Sequence, residues 1–267
     1  MRFLIMTDIE GVTGVTTYQQ AENTQFGRDM LMNDILAVIE GIRSEEHHEI
    51  VLYDMHTDGR NIDITQLPED IQVVMGKPIN GKLYRGAGGD YDGLFMVGLH
   101  ALGRVPKAML AHSYLREYDS IHINEDLVGE IGVECLLAGE QGFPLVFVSG
   151  DDKGCEEAEQ FMPGVVTAVV KYSLDESQAL CDSPAKTRKT LKEAAARAVA
   201  KAAQMSPKKT QMPVTITFKF SDCEYLEIMK EIHPEIFVND NTVVMKGDNL
   251  LATWSEYLLM EREMVTK

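Results

Sequence analysis

The 267 residues, 45% of them hydrophobic, suffice to bury the core of one large domain or two small ones. A formal charge of −17 repels nucleic-acid phosphates and anionic lipid headgroups, which excludes a polyanionic partner. The cysteines, Cys135, Cys155, Cys181 and Cys223, form no C-x-x-C pair, so neither a zinc ribbon nor a disulfide framework is signalled and they read as reduced, mostly buried thiols.

In chain order, "FLIM" (3–6) is a short buried-strand run, much shorter than a signal-peptide core. No later apolar stretch is long enough to span a bilayer, so a cytoplasmic protein is expected. Helical spacing of Leu31, Ile35, Val38, Ile39 and Ile42 predicts a helix that stops near Gly41 and "SEEHH". "EIVLYDMH" gives a second strand, 50–53, closing on Asp54 and His56, and "GLFMVGLH" a third, 94–99, closing on His100. Between Asp63 and Asp92 the glycine-rich "GKPINGKLYRGAGGDYDG" predicts a long loop or flap. "SIHIN" (120–124) reads as a short strand, the chain turns helical around Glu130, and "PLVFVSGDD" (144–152) is another apolar strand ending in an acidic turn.

Past "GVVTAVVKYS" (164–173) the character changes. Ser183 is placed as an N-cap and Pro184 at the first helical position of a run of helix formers. "VTITFKF" (214–220) alternates like a half-buried strand, and "NLLATWSEYLLMEREM" ends the chain as an amphipathic helix. The expected fold class is α/β: a Rossmann-like domain with a mainly parallel sheet over residues 1–165, and a smaller C-terminal α+β unit over 166–267 for oligomerisation or substrate access.

Asp8 and Glu10, then His56, then His100 all follow predicted strands, the edge where open α/β sheets bind ligands. Two carboxylates two residues apart repel unless a cation lies between them. Carboxylates with imidazoles suit zinc, manganese or a similar divalent ion. Each residue also has a plain structural reading: Asp8 as a helix N-cap, His56 as a surface histidine, Glu130 as a carboxylate favoured at a helix start. His100 and His112 lie in apolar settings where an imidazole needs a partner, and Glu134 shares the face of Glu130 one turn on. His47, His48, His122 and His233 carry no such signal.

The ordered set "TDIEGVTG", "DMH", "GLH", "AHS" and "INEDLVGEIG", with "VSGDDKGCEEAE" and "AVVKYSLDESQALCDSPAK" after it, resembles the M55 peptidases, the D-aminopeptidase family of the dipeptide-transport-associated type. The likeness covers roughly residues 1–190 well and the rest in outline. It implies two zinc ions per subunit, with manganese or cobalt as substitutes, Asp8 bridging them and Glu10, His56, His100 and Glu130 completing their shells. It places the catalytic histidine at His112. It further implies an aminopeptidase for short peptides or amino-acid amides, and a homo-oligomeric, decameric ring around the active sites. Glu134 stands where the family pattern carries Asn, and it is a candidate to hold a substrate's free α-amine.

Two other readings use the same residues. A magnesium-dependent phosphatase would take Asp8 as nucleophile and Glu10 as its acid/base partner, but it leaves two histidines unused. A non-enzymatic, small-ligand-binding α/β module would bind no transition metal and turn over no peptide. "TDIEGVTG" is not the G-x-G-x-x-G fingerprint, so a dinucleotide site has no support.

Overall fold

The computed structural model describes residues 1–77 and 90–265. In chain order the strands are β1 (Arg2–Thr7), β2 (Glu49–Asp54), β3 (Gln72–Val74), β4 (Gly93–Leu99), β5 (Tyr118–Ile123) and β6 (Asp126–Val128). They continue with β7 (Leu145–Asp151), β8 (Val166–Asp175), β9 (Gln178–Cys181), β10 (Val214–Phe220), β11 (Phe237–Asn239) and β12 (Thr242–Gly247). The helices are α1 (Tyr18–Asn23), α2 (Gln25–Ile42), α3 (Glu130–Gln141), α4 (Asp152–Phe161), α5 (Pro184–Ala202), α6 (Glu224–Ile232) and α7 (Leu250–Val265).

The expected α/β architecture is what the chain adopts. A seven-stranded sheet runs β3-β2-β1-β4-β7-β8-β9, parallel throughout except for the β8–β9 hairpin. A second, antiparallel sheet runs β11-β12-β10-β5-β6. β1 and β4 read as unbroken apolar runs because helices cover both faces of the first sheet. On one side Leu31, Ile35 and Val38 of α2 meet Leu191, Ala195 and Ala198 of α5 over Phe3 and Phe95. On the other, Ile131 and Cys135 of α3 and Ala158 of α4 pack on Leu4, Met6 and Met96.

α3 is buried nearly all round, as a helix between two layers must be. Its Ile131, Cys135 and Ala138 face the parallel sheet, while Val133, Leu136 and Leu137 face the second sheet and Trp254 of α7. This fixes the direction of its N-terminus, where Glu130 stands.

The structure differs from the sequence reading in four places. The expected division between 165 and 166 falls within a layer: β8, β9 and α5 extend the first sheet and its cover, while β5 and β6 belong to the second. The predicted 63–92 loop contains β3, whose parallel pairing to β2 gives three short residues an ordered place; residues 78–89 of that loop lie outside the described residues. Ser183 occupies the N-cap position of α5, yet its side chain makes no cap hydrogen bond, so Pro184 with its preset φ carries the start. His48, read as part of a polar helix end, is buried edge-on against Phe3, with Nδ1 3.4 Å from the N-terminal amine. Among the described residues no helix is long and apolar enough to cross a membrane.

Candidate metal centre

The chain leaves β1 towards β2 on one side, and from β4 the sheet continues to β7 on the other. The crevice past the carboxyl ends of β1 and β4 is therefore the switch point where side chains from separate connections converge. The Asp8 amide donates to the Val97 carbonyl at 2.9 Å and the Gly11 amide to that of Gly98 at 2.8 Å, so the segment after β1 crosses the end of β4. A Cβ on Gly11 would stand 1.7 Å from the Leu99 oxygen, and one on Gly150 1.8 Å from the same atom. Only glycines let both segments press on the peptide that leads into His100.

There the structure gathers Asp8, Glu10, His56, His100 and Glu130, all buried, with His112 partly exposed beside them. His56 Nδ1 lies 2.8 Å from Asp8 Oδ1 and 3.1 Å from Glu10 Oε2. His100 Nε2 lies 3.3 Å from Asp8 Oδ2 and 3.5 Å from Glu130 Oε1, so Asp8 faces both imidazoles, one with each oxygen. The ring of His112 stacks on that of His100 at 4.2 Å, with Nε2 3.8 Å from Glu130 Oε1. Two donor groups fall within cation-binding reach, Asp8 with Glu10 and His100, and His100 with His112 and Glu130; the ligand atoms of each lie within 4.8 Å of one another.

Second contacts aim these donors. The loop that carries His56 is tied down by Asn61, whose amide donates to the His56 carbonyl at 2.9 Å and to Asp54 Oδ1 at 3.2 Å. Nδ1 of His100 is 2.9 Å from the Ala101 carbonyl and Nδ1 of His112 is 3.0 Å from that of Leu110. A carbonyl only accepts, so each Nδ1 carries the hydrogen and each Nε2 is turned towards the carboxylates. The Tyr114 amide donates to Glu130 Oε1 at 2.8 Å.

Burial disfavours charge on every member, but the group overrides it. Hydrogen bonds and fields from Asp8 and Glu10 push the His56 imidazole up to about 11 against desolvation, and Asp8 and Glu130 hold His100 well above its ordinary value. Asp8 and Glu130 stay below the usual carboxylate range, since His100 outweighs their burial in both cases, with His56 adding its pull on Asp8. The cluster thus demands compensating positive charge. Asp8 Oδ2, Glu10 Oε2, His56 Nε2 and His100 Nε2 are buried with no hydrogen-bond partner, a costly arrangement that a divalent ion on mixed oxygen and nitrogen donors relieves. The residues present fit zinc or a similar ion.

Lys171 was not picked out from the sequence. It lies on β8, fully buried, and its ammonium donates to the carbonyls of Glu10, Val12 and Val15 in the segment after β1. Desolvation pushes this ammonium down to about 8, with Asp151 the first of the acidic groups that oppose the shift. Lys171→Met leaves three inward carbonyls without a donor; at roughly 1–3 kcal/mol for each unsatisfied group, partly relaxed, a loss of roughly 2–4 kcal/mol is expected. Urea unfolding of the variant measures it, and an unchanged midpoint and slope would refute the clamp.

Glu134 is also placed differently from the expectation. It is buried beneath Tyr114, whose hydroxyl donates to its Oε1 at 2.8 Å, and it does not line the cavity over the cluster. The cavity itself measures about 530 Å³. Asp8, Glu10, His56, His112 and Glu130 form one side of it, and Tyr18, Phe218, Trp254 and Leu258 supply much of the apolar remainder.

Comparison with known proteins gives the family and the fold. The sequence pattern of peptidase family M55, described as D-aminopeptidase, matches residues 1–257. A D-aminopeptidase of Bacillus subtilis (strain 168) is 26% identical over 267 residues, which span 97% of this chain and 96% of that protein. The solved structure of the Zn-dependent D-aminopeptidase DppA from Bacillus subtilis, described as a self-compartmentalizing protease, shares the fold. The two align with a TM-score of 0.90 at 24% identity, over 100% of this chain and 99% of that one.

Proposed function

Since the chain belongs to the M55 peptidases, the D-aminopeptidase family, we propose that it is a zinc-dependent aminopeptidase removing N-terminal D-residues from short peptides or amino-acid amides. The observation that carries this reading is the set of four buried donor atoms on Asp8, Glu10, His56 and His100 that make no well-aligned hydrogen bond. With Glu130 these residues would hold two ions, Asp8 shared between them because each of its oxygens faces a different imidazole. Zinc held there supplies Lewis acidity, which brings the pKa of water towards neutrality and polarises an amide carbonyl.

The protein's own groups do the rest. His112 has its Nδ1 hydrogen committed to Leu110, which leaves Nε2 to take up a proton and hand it to the departing amine. The stacked His100 ring and the edge of Tyr18, 5.8 Å away, hold that imidazole in place. Tyr114 fixes Glu130 through its amide, and Phe218 of β10 with Trp254 and Leu258 of α7 makes the apolar side of the cavity. The relative described as self-compartmentalizing supports a homo-oligomer of this chain, and a ring of ten subunits is the form proposed for it.

Metal analysis joined to a substrate screen tests the reading. The purified protein is expected to carry zinc, to hydrolyse D-aminoacyl dipeptides faster than their L-counterparts, and to leave phosphate esters intact. A chelator should abolish the activity, and zinc or cobalt should restore it. Undiminished hydrolysis in chelator would remove the metal reading, and phosphate release would favour the phosphatase.

A further inference from the structure

The cavity over the metal centre is acidic on one side and apolar on the other, and among its described lining residues Lys77 and Arg116 carry permanent positive charge. Lys77 is engaged, its ammonium donating to the Met55 carbonyl at 2.5 Å. Arg116 is different. Its side chain is 56% exposed, its guanidinium lies over the Tyr18 ring at 4.5 Å, and its nearest carboxylate, Glu22, is 3.6 Å away, beyond hydrogen-bond length. Tyr18 in turn meets the ring of His112 edge-on. The wall thus presents a cation seated over an aromatic ring, two ring contacts from the catalytic imidazole, in an ion pair with Glu22 too long for a hydrogen bond, which a closer carboxylate can displace.

We propose that Arg116 receives the C-terminal carboxylate of a dipeptide or tripeptide, so that this chain cleaves free short peptides in preference to the same peptides amidated at the C-terminus. The proposal deepens the aminopeptidase reading and rests on it. Once a substrate's first carbonyl lies beside His112, the chain beyond the scissile bond extends about 3.3–3.6 Å per residue. The guanidinium is 4.5 Å from the Tyr18 centroid, which is 5.8 Å from that of His112, so the two groups are no more than about 10 Å apart, within reach of the C-terminus of a dipeptide or tripeptide. Glu22, Glu117 and Glu261 also line the cavity, so a carboxylate entering it is repelled there and needs a cation to settle. The guanidinium fork matches carboxylate geometry bidentately, which an ammonium does not. Its place over the Tyr18 ring restricts the side chain beforehand, which lowers the ordering cost of binding.

The test compares a D-alanyl dipeptide with its C-terminal amide on wild type, Arg116→Gln and Arg116→Lys. In wild type kcat/KM should favour the free acid by about tenfold to a hundredfold, the range of a charge-assisted pair, with the difference in KM. In Arg116→Gln the ratio should fall to near one, and Arg116→Lys should recover part of it. Equal handling of acid and amide by wild type, or an unchanged ratio in Arg116→Gln, overturns the proposal. The same pair with an N-methylated scissile bond, titrated by calorimetry, reads the preference as a ratio of Kd without turnover. Acid-selective binding that depends on Arg116 in a protein that cleaves neither peptide would support the carboxylate site and count against the peptidase reading alone.

Discussion

Asp8→Ala is expected to remove bound zinc and peptidase activity together. Asp8 is the carboxylate that faces both His56, at 2.8 Å, and His100, at 3.3 Å, so its loss deprives both halves of the cluster at once. Glu10 and Glu130 remain, but each then shares its site with an imidazole and no second anion between the two halves. Breaking a buried charge group by deleting one partner costs about 3–5 kcal/mol, and in metal affinity that is a weakening of roughly 10²–10³ or more. Elemental analysis after dialysis measures it alongside turnover. A variant that keeps the wild-type zinc content would refute the bridging role whatever its activity.

His112→Ala should behave in the opposite way. The imidazole is only partly buried and its Nε2 is 3.8 Å from Glu130, the longest contact in the cluster. The variant is expected to retain the wild-type zinc content while turnover drops about 10²–10⁴-fold, the usual worth of a positioned proton carrier. Because His112 also falls within one of the two donor groups, the metal measurement discriminates. Loss of one zinc equivalent would make His112 a ligand, and retained turnover would remove it from the mechanism.

Much of this centre is legible in the sequence, and for a physical reason. In a parallel sheet the chain must deliver its ligands at strand ends, so Asp8, His56 and His100 appear in the sequence just after apolar runs. Glu130 was readable from a helix start between glycines. Residues that act across the fold were not. Tyr114 serves Glu130 and Glu134 with different atoms, and nothing in "AHSYLRE" announces that. Arg116 matters only because α1, too short to show a period, brings Tyr18 beneath it. The extent of the first sheet was also hidden, since β8, β9 and α5 follow the change of composition at which a boundary was expected. Lys171 did leave a signal: one lysine inside "TAVVKYS", buried next to Val170 although the alternation of β8 sets it on the side of the half-buried Thr167 and Val169. A lone cation in an apolar run calls for several acceptors at once, and main-chain carbonyls near a crowded turn can supply them.

That lysine keeps an ammonium of the protein's own beside the place where the proposed ions would bind. Its three carbonyl partners span the stretch directly after Asp8, so the curvature of the ligand-bearing segment is set while the chain folds. Cations arriving later meet donors already in position and lose less freedom in being captured than they would on a slack loop. Loading of the centre is then a matter of exchanging protons for metal on a rigid frame, and its kinetics should follow pH more closely than they follow any rearrangement of the backbone.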